Sequence, residues 1–105
     1  MINIEVYKTK TGQIFGFKAI NHGKHIVCAA VSALTINAVN SIEKFADCKF
    51  ICDHNPKGGL LSLKIPDIES GIGNEKAELL LNSLMLGLLS VKSEHNNVIK
   101  LTEVQ

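Results

Sequence analysis

Apolar and polar residues alternate from the second position of the chain, with Ile2, Ile4 and Val6 separated by Asn3, Glu5 and Tyr7. That two-residue period predicts a half-buried strand closed by Lys10-Thr11-Gly12, and Gln13 to Ala19 continues as a second strand. The two read as a hairpin. Ile20-Asn21-His22-Gly23-Lys24 has no period and carries Asn and Gly, so it reads as a loop. From Ile26 to about Phe45 the spacing changes: Val27, Val31, Leu34, Ala38, Ile42 and Phe45 recur at steps of three and four, one stripe of a helix. Cys28 then falls beside the stripe, with its side chain free to turn toward the loop.

Cys48 to Asp53 reads as a third strand, His54-Asn55-Pro56-Lys57-Gly58-Gly59 as a turn, and Leu61, Leu63 and Ile65 as the buried positions of a fourth strand. Pro66 to Gly73 reads as a loop. Asn74 is the expected N-cap of a second helix, with Glu75 and Glu78 near its positive end and Ala77, Leu80, Leu81, Leu84, Leu88 and Val91 at helical spacing. Val98 to Val104 reads as a closing strand. The order ββαββαβ predicts an α+β fold: a mixed or antiparallel sheet with two helices packed on one face. The runs Leu79-Leu80-Leu81 and Leu84-Met85-Leu86 give the second helix more apolar surface than one sheet face needs, so a homodimer through that helix is expected.

With 105 residues, 46% hydrophobic and 20% charged, the chain is expected to form a single domain over residues 1–105 with one core. A formal net charge of +1 provides no basic field, so no direct nucleic-acid partner is expected. The N-terminal residues lack the layout of a signal peptide, and no apolar run is expected to reach the ~20 residues of a membrane helix. A cytoplasmic protein with no membrane partner follows as the expectation. Three cysteines, an odd number, argue against a disulfide framework.

Cys28 stands out because it falls in the first turn of the first helix. A thiol there faces unpaired backbone N–H groups and the positive end of the helix dipole, both of which favour thiolate. Cys48 and Cys52, about 13 Å apart if they share a strand, are too distant for a disulfide and read with Phe50 as core residues. No metal set is apparent around them. His54 and His95 read as turn composition. Gly58-Gly59 and Gly71-Ile72-Gly73 lack the context of a phosphate-binding loop.

His25-Ile26-Val27-Cys28-Ala29-Ala30-Val31-Ser32-Ala33-Leu34 resembles the signature of the ribosomal-processing cysteine proteases, small bacterial enzymes with a pattern close to G-H-A, a mobile loop, then G-x-D-I-V-C-A-A-V-S-A. The resemblance implies a thiol endopeptidase that removes the N-terminal extension of a large-subunit ribosomal protein during ribosome maturation. It implies no cofactor and no metal. Cys28 would be the nucleophile, and Gly23, Ile26, Val27 and Ala29 would line the oxyanion and substrate loop. Two departures accompany the match. The histidine of G-H-A has no counterpart in Phe15-Gly16-Phe17-Lys18-Ala19, where Phe17 or Gly16 takes its place, and His25 replaces the Asp of D-I-V-C. His22 is then the expected catalytic base, with His25 as the alternative. The rival expectation is a non-catalytic relative that binds a ribosomal-protein tail, or another partner, without cutting it.

Overall fold

The computed structural model describes residues 1–20, 26–55, 57 and 59–105. Strand β1 (Ile2–Lys8) buries Ile2, Ile4 and Val6 and pairs antiparallel with β2 (Ile14–Ile20). The turn between them holds Gly12 at φ +91°, a left-handed conformation glycine adopts without strain. The register slips between Tyr7 and Lys8, leaving Phe15 as an extra residue that stacks on Tyr7 with ring centres 5.8 Å apart.

Helix α1 (Ile26–Ser41) continues into one π-type turn (Ile42–Ala46), ended by Asp47 in a left-handed conformation. The buried stripe reads Val27, Cys28, Val31, Thr35, Ala38, Ile42 and Ala46. This corrects the sequence expectation at two places. Cys28 heads the stripe, and Phe45 is 56% exposed while Ala46 takes the buried place. The wider π-type turn sets which residue faces inward at the helix end. Thr35, the one polar residue in the stripe, donates its hydroxyl to the Val31 carbonyl oxygen at 2.9 Å and so enters the core satisfied.

Strand β3 (Ile51–Asn55) starts later than the pattern predicts, and all five of its residues are exposed. It forms one edge of the sheet, hydrogen-bonded to β4 (Leu60–Lys64) alone. The core assignment is therefore corrected for Cys52, which is exposed on the edge strand, whereas Cys48 precedes the strand and, half-buried, packs against the core with Phe50. The segment Pro66 to Gly73 also departs from a plain loop, since Pro66–Glu69 form a one-turn helix, α2, with proline at its first position and Ile68 buried.

Helix α3 (Glu75–Glu94) begins as the sequence predicts. The Asn74 side chain accepts from the Ala77 amide at 3.0 Å, and Glu78 accepts from the Asn74 amide at 2.9 Å. Asn74 also donates from its side-chain nitrogen to the Ala46 carbonyl oxygen at 3.1 Å, tying the start of α3 to the end of the first helix. The chain closes with β5 (Ile99–Val104), parallel to β1.

The strand order is β3-β4-β2-β1-β5, so the sheet is mixed. Its inner face, including Val6, Phe17 and Leu63, packs under α1 and α3. Its outer face carries Asn3, Glu5, Lys18, Ser62, Lys64, Lys100 and Thr102. Ile26–Ala46 is a continuous 21-residue helix of mean hydropathy 1.5, long and apolar enough to cross a membrane. That corrects the expectation of no such run. In this fold the buried stripe of that helix is part of the core beneath it.

Candidate active site

The end of β2 at Ile20 and the start of α1 at Ile26 bring the Cys28 region to one end of the sheet. Ile26, Val27 and Cys28 are the first three residues of the helix, so their amides have no acceptor one turn earlier within it. Ala29, the fourth residue of α1, likewise has no acceptor one turn earlier within the helix. Ile26 is 82% exposed, whereas Cys28 is 9% exposed and joins the core cluster. The thiol therefore lies on the sheet side of the first turn. Gly23, His22 and His25 lie outside the described residues, as does most of the loop expected to close over a peptide.

The positions aligned with the family histidine have a clear fate. Gly16 pairs with Tyr7 on one side and Lys64 on the other, and a Cβ there would stand 2.1 Å from the Leu63 carbonyl oxygen. No side chain fits without moving the strand. Phe17 is 1% exposed and lines an apolar space with Val6, Leu81, Leu84 and Leu88. It also sits three residues, about 10 Å of strand, from the Ile20 end. Neither position supplies a base beside Cys28.

Two described histidines remain. His95 caps the C-terminus of α3, its amide bonded to the Val91 and Lys92 carbonyls. His54, read from sequence as turn composition, belongs to β3 and pairs with Leu61, whose side chain faces the helices. With Ser32, Thr35, Ile36, Leu60 and Leu61 it borders a cleft of about 210 Å³ between α1 and the sheet edge. Hydropathy carries no mark of that feature, because only the strand register reveals which side His54 faces.

The other cysteines have weaker chemistry. Burial pushes the Cys48 thiol up, and the Asp67 and Asp47 carboxylates add to it. The Cys52 thiol is also raised, first by the burial it has and then by Asp53 and Glu43. Both effects disfavour the nucleophilic thiolate. Among the described residues no group of three or more His, Cys, Asp and Glu side chains is arranged to hold a metal.

The site is thus a cysteine in the first turn of a helix packed on a five-stranded mixed sheet of α+β class. The model of the family described as "Cysteine protease Prp" matches residues 1–100, and the chain belongs to that family. It is similar to the ribosomal processing cysteine protease Prp of Bacillus subtilis (strain 168), 26% identical over 81 residues, covering 77% of this chain and 72% of that one. Staphylococcus aureus Prp is 24% identical over 107 residues, covering 96% and 97% of the two chains. In structure the chain resembles the essential ribosomal processing protease Prp from S. aureus in complex with a covalently linked product peptide. That likeness has a TM-score of 0.89 at 24% identity and covers 99% of this chain and 100% of that one. The S. aureus enzyme with a substrate peptide gives 0.88 at 23% identity, with the same coverage. These likenesses fix the fold.

Proposed function

We propose that this chain is a cysteine endopeptidase that removes the N-terminal extension of a large-subunit ribosomal protein. The observation that carries the reading is Cys28 in the first turn of α1, inside the stretch that matches the family signature. A histidine takes the Cys28 thiol proton as the sulfur attacks the scissile carbonyl carbon, and the amides of Ile26, Val27 and Cys28 stabilise the oxyanion that forms. The C–N bond then breaks as a histidine donates a proton to the leaving amine, and water hydrolyses the thioester to release the acid and the thiol. No cofactor takes part.

We assign the proton transfer to His22, with His25 as the alternative, because Gly16 is closed to any side chain and Phe17 is held under α3. Profiles of kcat against pH test this choice: His22→Ala is expected to abolish the profile's lower limb while His25→Ala keeps it. The opposite pattern assigns the base to His25. Because Cys28 lies on the sheet side of its helix turn, the substrate enters over the N-terminal end of α1.

One observation favours a second reading. A family fold with no histidine at the end of β2 suits a chain that binds the ribosomal-protein tail without cutting it. Tight association with an uncut precursor is the outcome that selects it. We further propose that copies pair through α3, where Leu79 and Leu86 are 69% and 72% exposed and Leu89 adds to the same apolar surface. Light scattering is expected to give a dimer that Leu86→Lys converts to monomer, and a monomeric parent chain overturns the pairing.

A further inference from the structure

We propose that the cavity between the β1–β2 hairpin tip and the α2–α3 connection binds a small zwitterion, a molecule carrying an ammonium and a carboxylate on an apolar body. The site is separate from the one around Cys28 and does not depend on the protease reading. Three features carry it: the cavity's place in the fold, its size, and the opposite charges on its two walls.

The hairpin tip stands at the end of the sheet away from Cys28. From Ile14 at the tip, β2 runs about 20 Å to Ile20 before the chain leads into α1. The second wall reaches the same end through β4, whose last residue, Lys64, pairs with Gly16, and the Ile65 amide then donates to the Phe15 carbonyl oxygen at 2.8 Å. Each wall is held by its own hydrogen bonds. At the tip the Thr9 amide donates to the Gln13 carbonyl oxygen at 2.8 Å, and the Gly12 amide to that of Thr9 at 3.0 Å. In the connection the Ser70 amide donates to the Pro66 carbonyl oxygen at 2.9 Å, and the Gly73 amide to that of Asp67 at 2.8 Å. The space is therefore formed in advance, and little ordering opposes binding.

The cavity encloses about 800 Å³, within the roughly 300–1,000 Å³ of sites that hold a whole small molecule. Phe15 and Ile68 give it apolar lining, and the Phe15 ring is held by its stack on Tyr7. Charge divides the walls. Lys8 and Lys10 border the cavity from the hairpin, Glu69 and Glu78 from the other side. Lys8 is engaged by Glu103 at 2.8 Å, whereas Lys10 enters no ion pair among the described residues. Glu78 accepts from the Asn74 amide through one oxygen, and Glu69, like Lys10, has no ion pair among the described residues. The Gln13 side-chain oxygen accepts from the Thr9 and Thr11 hydroxyls, so its nitrogen keeps its donors for a carboxylate. An anion entering this space meets two carboxylates, and a cation meets Lys10. A zwitterion answers both walls, its ammonium toward Glu69 and Glu78 and its carboxylate toward Lys10 and Gln13, with its body against Phe15.

The probe is para-(aminomethyl)benzoate, whose ring separates an ammonium from a carboxylate. Two fragments accompany it: para-methylbenzoate, which lacks the ammonium, and benzylamine, which lacks the carboxylate. Each is titrated into the isotope-labelled chain, and binding is read from backbone amide shifts by NMR. The zwitterion is expected to saturate the chain at low-millimolar concentration, with the largest shifts in residues 9–13 and 70–73, and to bind about threefold tighter than either fragment, the scale of one exposed ion pair. Lys10→Gln, at an exposed position, is expected to weaken the zwitterion and para-methylbenzoate about threefold and leave benzylamine unchanged. Glu69→Gln, also exposed, is expected to weaken the zwitterion and benzylamine by a similar factor and leave para-methylbenzoate unchanged. A fragment that binds as tightly as the zwitterion overturns the assignment, as do shifts that never saturate or that centre elsewhere on the chain. Unchanged zwitterion binding in both variants overturns it too. A failed titration leaves precursor cleavage as it stands, and a chain that binds the zwitterion without cutting the precursor keeps the site and loses the protease reading.

Discussion

Gly16 lies so close to the Leu63 carbonyl oxygen that a Cβ on it would stand 2.1 Å from that atom. The contact joins β2 to β4 and closes the position to any side chain. Gly16→Ala is expected to cost about 3 kcal/mol, since the obstructing atom is backbone and relief requires the strands to part. Urea unfolding measures this, and a loss under about 0.5 kcal/mol would contradict the packing.

The neighbouring Phe17 makes a related prediction for the site. Phe17→His places an imidazole in an apolar space under α3, and is expected to destabilise the fold by roughly 3 kcal/mol without raising peptidase activity. A stable variant with increased cleavage would show that β2 can serve as the source of the base after all.

Asn74 joins two helices through one side chain. It caps α3, and its amide nitrogen reaches the Ala46 carbonyl oxygen at 3.1 Å. Asn74→Ala loses both bonds and is expected to lower stability by about 2 kcal/mol, at the upper end for a cap. Asn74→Asp keeps the cap and loses only the donor to Ala46, so about half of the loss should return. Thermal melting of the two variants reads the difference.

Alkaline stability follows from the raised thiols. The folded state holds the Cys48 proton more tightly than the unfolded chain, through burial and then Asp67 and Asp47. Its contribution is full below the unfolded thiol value of about 8.5 and is lost as pH rises through the higher folded value. The melting temperature of the parent chain is therefore expected to fall above about pH 8.5, and more steeply than that of Cys48→Ser. Parallel curves from pH 7 to 10.5 would contradict the assignment. In the same way Cys52, although exposed, is expected to alkylate slowly near neutral pH.

Much of this fold is written in periodicity. Ile2, Ile4 and Val6, the stripe from Val27 to Ile42, Leu61 and Leu63, and the cap at Asn74 all stand where spacing and capping chemistry put them. What spacing does not carry is tertiary in origin. Cys28 is drawn into the stripe because the helix rolls to pack Cys28, Val31 and Thr35 inward, a rotation set by its neighbours rather than by its own period. Phe45 loses its place to Ala46 through a π-type turn that leaves no mark in hydropathy. The apolar residues around Cys52 suggested core, but an edge strand has nothing beyond it to pack against. The candidate nucleophile was legible from its motif, whereas the His54 cleft required strand register.

The most direct measurement is mass spectrometry of the organism's own ribosomal-protein precursor after incubation with this chain, beside its Cys28→Ser variant. The account predicts a shortened product with the parent chain and an intact precursor with Cys28→Ser. An intact precursor in both reactions, held in a stable complex with the chain, would contradict it and identify a binder that has kept the fold without the chemistry.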